Sequence, residues 1–247
     1  HFSLPYNTSM GLNIRRIDMQ MRSMCFTSYG LILKRVIFSD GMLNYLTNTS
    51  NVASAPNQNL ARETLELYTV GLNNFTETDV DQASLLLTGL FKGWDTPAAQ
   101  QNAARWGGVY PCIDSSTHYY GRVRICGLNY ANGPNDPAVR TSLDSWLQRM
   151  ANHPATAANV VNALCRRFVS DDPPPSLVNA LVSTYLANHS AITPVLTQLF
   201  NSQEFLDSAG TKLRRPNEYF LAMYAAGAPQ LSINLSTLYE VPMGDTL

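Results

Sequence analysis

The stretch from Pro56 to Gly71, reading P-N-Q-N-L-A-R-E-T-L-E-L-Y-T-V-G, constrains the fold most, because it carries a helix start, an amphipathic body and a helix stop. Asn57 offers a capping side chain behind a proline, and Gly71 offers the left-handed stop that helices favour at their carboxyl end. The spacing predicts a helix over residues 58–70. At about 100° per residue, Leu60, Ala61, Thr64, Leu65, Leu67 and Tyr68 fall on one face, and Asn59, Arg62, Glu63 and Glu66 gather on the other. A helix this short is held by packing its apolar stripe, so the rest of the chain must supply neighbours for it.

It does so with more helices. Thr76 is placed to cap a helix whose third position, Asp79, completes a capping box, with Phe75 as the staple and Val80, Ala83, Leu87 and Leu90 inward. This helix and the one before it are joined by the short turn Gly71-Leu72-Asn73-Asn74, which predicts an antiparallel pair. Upstream, helices are expected over residues 14–24, 28–38 and 42–46. Downstream, Asp136-Pro137 opens a helix with the stripe Val139, Leu143, Trp146, Leu147 and Met150, and His153-Pro154 opens another, with His153 as cap or packing residue. Ser176, Pro194 and Pro216 mark three further starts. Prolines at helix starts and short loops between them mean a compact, mostly all-α domain of residues 1–247. No repeat of fixed period is present, which disfavours a solenoid.

One window departs from the helical period. From Lys92 to Gly133, glycines, Pro111 and a β-branched, aromatic run predict a short β or irregular excursion over residues 92–133. Cys112 and Cys126 lie symmetrically about Tyr119, so a hairpin centred there sets them opposite each other. A disulfide between them is expected in an oxidising compartment, stabilising by roughly 3 kcal/mol on the chain-entropy picture. Cys25 and Cys165 fall on predicted helices and read as buried thiols.

Charge excludes several functions. The net charge is −1 and 14% of the residues are charged, too few for the basic face that nucleic acid or an anionic membrane requires. No apolar run approaches the roughly 18 residues of a spanning helix; Leu31 to Phe38 is broken by Lys34 and Arg35. Asn, Ser, Thr and Gln carry the polar surface instead, a habit of exported proteins. There is no G-x-S-x-G, no G-x-G-x-x-G and no Walker-type loop.

The central stretch resembles the N-E-N-L-A-R-E-L-L-E-L-F-T-L-G signature of the mainly bacterial family known as domain of unknown function 1800. Further segments follow that family's motifs in its order: His1-Phe2, Asp40 to Leu46, Phe75 to Val80, Leu87-Thr88-Gly89, Asn152 to Ala157, Arg166 to Pro174 and Arg214 to Tyr219. The resemblance implies a fold and a setting but no reaction. The family's members run longer at the amino end, with an export signal and several helices before their N-H-F motif. The chain is therefore expected to be a fragment, a processed product or the ordered part of a larger extracellular or envelope protein. Where the family carries H-D-x-G-x-K, this chain reads His118-Tyr119-Tyr120-Gly121-Arg122-Val123, so the acid is lost while the histidine and glycine stay.

Two functions follow. In the first, the protein works by association with a protein partner or as a subunit of an assembly, without a cofactor, through Tyr110, Tyr119, Tyr120 and Tyr130, since such amphipathic side chains are enriched where proteins meet. Asn59, Arg62 and Glu63 then form a structural polar network that orients helices. In the alternative, Glu63, Glu66 and His118 are catalytic in a metal-dependent hydrolase, with His1, Glu63, Glu66 and His118 as ligands of a divalent metal.

Overall fold

The computed structural model describes residues 19–91, 112–133, 135–212 and 216–227. The chain divides into two compact units, His1–Asp207 and Ser208–Leu247. His1, Tyr110, and the excursion between residues 92 and 111 lie outside the described residues.

The first unit is mostly helical. Among the described residues its helices include α1 (Tyr29–Ile37), α2 (Asp40–Tyr45), α3 (Asn59–Glu66), α4 (Glu77–Leu86), α5 (Asp136–Ala151), α6 (Pro154–Phe168), α7 (Pro175–Ala187), α8 (Ile192–Phe200) and α9 (Gln203–Asp207), with a 3-10 turn at Asn48–Ser50. Two antiparallel pairs interrupt them: β1 (Leu90–Phe91) with β2 (Cys112–Ile113), and β3 (Arg122–Ile125) with β4 (Leu128–Ala131). The second unit contains α10 (Pro216–Gly227). Among the described residues no helix is long and apolar enough to cross a membrane.

Local chemistry sets most boundaries. Thr76 and Asp79 form the expected reciprocal capping box at α4. Asn135 caps α5 by accepting from the Ala138 N–H, with Pro137 in the first turn, and His153 caps α6 by accepting from the Ala155 N–H at Nδ1. The central helix α3 stops at Glu66, short of residue 70. Its cause is Thr69, whose hydroxyl donates to the carbonyls of Thr64 (2.7 Å) and Leu65 (3.3 Å), groups that a continuing helix would use for its own ladder. Gly71, at φ +79°, then turns the chain away. The early stop also leaves Leu67 exposed, although it belongs to the apolar stripe of a longer helix.

The stripes meet in one core. Leu60, Ala61 and Leu65 of α3, Val80, Ala83 and Leu86 of α4, and Val139, Leu143, Trp146 and Leu147 of α5 all belong to it. Trp146 and Tyr185 are its largest fully enclosed side chains. Across this core, the Tyr29 hydroxyl donates to the Tyr68 carbonyl (2.6 Å) and the Tyr185 hydroxyl to the Ala151 carbonyl (2.9 Å). Burial pushes the Tyr68 phenol up. A Lys34–Asp144 ion pair ties α1 to α5.

The hairpin β3–β4 lies on α4. Val123 and Ile125 face inward while Arg122 and Arg124 face out. Its free edge is closed by side chains of α4: Gln82 accepts from the Arg124 N–H (3.1 Å) and Asp79 from the Cys126 N–H (2.6 Å). Those bonds are one way to blunt an exposed strand edge.

The hairpin expected to join Cys112 and Cys126 does not form. Cys112 sits opposite Phe91 in the β1–β2 pair, whereas Cys126 is in the left-handed turn of β3–β4. All four cysteines are free thiols, and Cys25, expected to be buried, is exposed; Cys165 is buried as expected.

Candidate functional site

The most elaborate polar construction lies where the end of α4 meets the loop before β3. Two buried amides begin it. The Asn48 side chain donates to the carbonyls of Leu87 (3.1 Å) and Leu90 (3.4 Å), and that of Asn51 to the Ser84 carbonyl (3.0 Å) and to Asn48 Oδ1 (3.1 Å). The last carbonyls of a helix lack intrahelical partners, and here side chains from the 3-10 turn supply them.

Beyond α4 the chain turns at Gly89, φ +67°, where a Cβ would stand 2.8 Å from the Asp114 carbonyl oxygen and 3.0 Å from the His118 Cβ. Only glycine lets the two segments come so close. The Asp114 N–H donates to the Gly89 carbonyl (2.8 Å), and Asp114 holds the following turn by accepting from the N–H (2.9 Å) and hydroxyl (2.7 Å) of Ser116. Those bonds keep the Asp114 carboxyl below the usual carboxylate range.

His118 follows, 5% exposed. Its Nδ1–H donates to the Thr88 carbonyl (2.6 Å), and Nε2, when it also carries a proton, donates to Asn132 Oδ1 (3.1 Å). The same Asn132 amide donates to the Tyr119 carbonyl, while the Tyr119 N–H donates to the Thr88 hydroxyl (2.8 Å). Thr88, His118, Tyr119 and Asn132 thus interlock, and both nitrogens of the imidazole are occupied. Tyr120, 38% exposed, stands edge-on against this ring at 4.9 Å and 72°.

The predicted site residues separate into groups. His118, Tyr119 and Tyr120 come together, with Tyr119 partly buried on the core. Tyr130 is buried on β4, and burial pushes its phenol up to about 12, against the opposing pull of Arg149. Glu63 and Glu66 stay on α3, with no contact to His118. Burial raises the Glu63 carboxyl, Glu66 adds repulsion, and Arg62 opposes both. No group of three or more His, Cys, Asp or Glu side chains able to hold a metal occurs among the described residues, so Glu63, Glu66 and His118 do not form the cluster expected of them.

The polar network around Asn59, Arg62 and Glu63 also takes a different form. Arg62 reaches across to α4 and donates twice to Glu77, at 2.8 and 2.6 Å, in place of its i+4 neighbour Glu66. This pair is open to water and screened. Asn59 is exposed and donates to the Thr47 hydroxyl (3.2 Å). The buried network is instead Asn48, Asn51, Thr88, His118 and Asn132. Only His118 of these stands out in the sequence. Asn48 and Asn51 sit in a polar run, N-T-S-N, with no periodicity to mark them as interior.

Over residues 1–244 the chain matches the family described as Protein of unknown function (DUF1800), and it belongs to that family. Neither a curated protein nor a solved structure matches it.

Proposed function

We propose that the protein acts by association with a protein partner or as a subunit of an assembly, outside the cytoplasm or at the cell envelope, through the face around Tyr120. The observation that carries this reading is the seating of Tyr120. Its exposed ring is held edge-on by a buried His118 that is itself fixed at both nitrogens. An aromatic ordered before binding loses little conformational freedom on contact, and such anchors dominate interface energetics. Arg122 and Arg124 stand exposed on the adjoining strand and supply the polar rim.

The hydrolase reading would need His118 free and close to Glu63 and Glu66, whereas the ring is occupied and the three form no cluster. Light scattering on the protein purified from its native source tests the choice. Wild type is expected in a complex heavier than the single chain, and Tyr120→Ala is expected to release it. If Y120A left that complex intact while Glu63→Gln abolished a measurable hydrolysis, the association reading would be wrong.

A further inference from the structure

A groove of about 500 Å³ runs between β4 and α5, in the size range of small-molecule sites. Its floor and walls include Tyr130, Asn129, Ser142, Ser145 and Arg149. The hydroxyl of Ser142 is committed, donating to the Ala131 carbonyl at 2.7 Å. Three groups are not. The Tyr130 hydroxyl is buried without a hydrogen-bond partner in a residue only 6% exposed. Ser145 and the Arg149 guanidinium are exposed at the mouth and make no side-chain hydrogen bond among the described residues.

A buried hydroxyl left unsatisfied costs stability, about 1–3 kcal/mol, and its retention calls for a function. Here the residue that carries it lines a groove that also holds a guanidinium. The two lie close enough for the charge of Arg149 to favour the phenolate of Tyr130. Among the described residues nothing acidic lines the groove. Across the hairpin Tyr130 pairs with Val123 and Asn129 with Arg124, so Arg124 projects from the face opposite to Tyr130. Asp79 faces Arg124 from α4, and Asp144 on α5 is engaged by Lys34. Neither acid lines the groove.

We infer that this groove binds a small molecule bearing an oxyanion, carboxylate or phosphate, which Arg149 pairs with as a planar fork while the hydroxyls of Tyr130 and Ser145 donate to it. Arginine suits this role because its donors match the two oxygens of such a group. The apolar edges of Leu128 and Ala138 leave room for a hydrocarbon or ring on the same molecule. The site goes beyond association through Tyr120, which contributes nothing to the groove, so either reading can fail alone.

The test is an NMR titration of the whole chain with benzoate, its neutral counterpart benzamide, and inorganic phosphate. Saturable shifts are expected at Tyr130, Ser145 and the Arg149 Nε–H with benzoate, and benzamide should bind at least about tenfold more weakly. Arg149→Gln should weaken benzoate about tenfold or more, and Tyr130→Phe about threefold or more. Y130F removes an unsatisfied hydroxyl, so its melting temperature should hold or rise. That separates lost recognition from lost fold. Phosphate shifting the same residues, and failing to in R149Q, would support the inference with the anion alone as determinant. Equal affinity for benzoate and benzamide, an unchanged affinity in R149Q, or no saturable shift with either anion would overturn it.

Discussion

Removing the His118 side chain tests whether the imidazole is a structural keystone. In His118→Ala, the Thr88 carbonyl and Asn132 Oδ1 lose their partner inside the protein, since His118 is the group that reaches both. Two hydrogen bonds contribute about 1 kcal/mol each, and stranding buried acceptors adds about 1–3 kcal/mol. The edge-on contact with Tyr120 adds about 0.5–1.5 kcal/mol. Partial relaxation and water entry offset some of this, which leaves a loss of about 3 kcal/mol. For a chain of this size that corresponds to a fall in melting temperature of about 6–12 °C. Thermal unfolding followed by circular dichroism reads it directly. Glu63→Gln, which removes a carboxylate disfavoured by burial at a half-buried position of α3, should lose no more than about 0.5 kcal/mol relative to wild type. Asn132→Ala should cost about 2 kcal/mol, and the double variant less than the sum, because the two residues share a bond. An H118A protein that melts within about 2 °C of wild type would refute the reasoning and return His118 to the list of groups kept for chemistry.

Three further outcomes follow. Gly89→Ala should destabilise by about 3 kcal/mol or more, because the left-handed backbone and the Asp114 carbonyl both resist a Cβ; Gly127→Ala, equally left-handed but in open space, should cost about 1 kcal/mol, and equal losses would dismiss the close approach. Asp79 accepts from the Thr76 hydroxyl, the Thr76 N–H and the Cys126 N–H, which together outweigh its burial and hold its carboxyl below the ordinary value; its contribution is thus present above about pH 4 and lost as pH falls through the lower folded value, so the stability gap between wild type and Asp79→Asn should close in acid, and a gap that widened there would contradict this. Burial, with the Asp79 charge beside it, pushes the Cys126 thiol up to about 11, so in the native protein at pH 8 iodoacetamide should modify exposed Cys25 first and all four cysteines only after unfolding without reductant; Cys112 or Cys126 staying unmodified in the unfolded chain would restore the disulfide.

What could be read from the sequence was local. The Thr76/Asp79 box, the helix start at Asp136-Pro137, the His153 cap and the stripe from Val139 to Met150 each depend on residues a few positions apart, and each is where the spacing puts it. What escaped depends on distance. Arg62 has Glu66 one turn away, but α4 offers Glu77 in a geometry that engages both nitrogens, and tertiary packing decides between them. The partner of Cys112 is Phe91, on the far side of the excursion, so symmetry about Tyr119 carried no information on the pairing. Thr69 ends α3 through a side-chain bond that competes with a helical ladder of only modest strength. Of the candidate site, the cluster His118-Tyr119-Tyr120 was visible, and the amides that hold it were not.

Those amides bear on how composition is interpreted. With 14% of its residues charged, the chain relies on Asn, Ser, Thr and Gln for polarity, and this invites a reading of them as surface. Yet Asn48, Asn51, Thr64, Ser84, Thr88 and Asn132 are all buried. All of them donate to backbone carbonyls within the fold, Ser84 to that of Asp81 (2.7 Å), along α3, at the end of α4 and in the loop under Tyr120, and Ser84 also lends its own carbonyl to Asn51. Uncharged donors suit that task, because a buried lysine or arginine would carry a desolvation cost that a lone carbonyl does not offset. The excursion is therefore joined to the helices by hydrogen bonds that need no oxidant. An extracellular or envelope setting, proposed above, then gains nothing from the cysteines and rests on the polar side chains that remain at the surface.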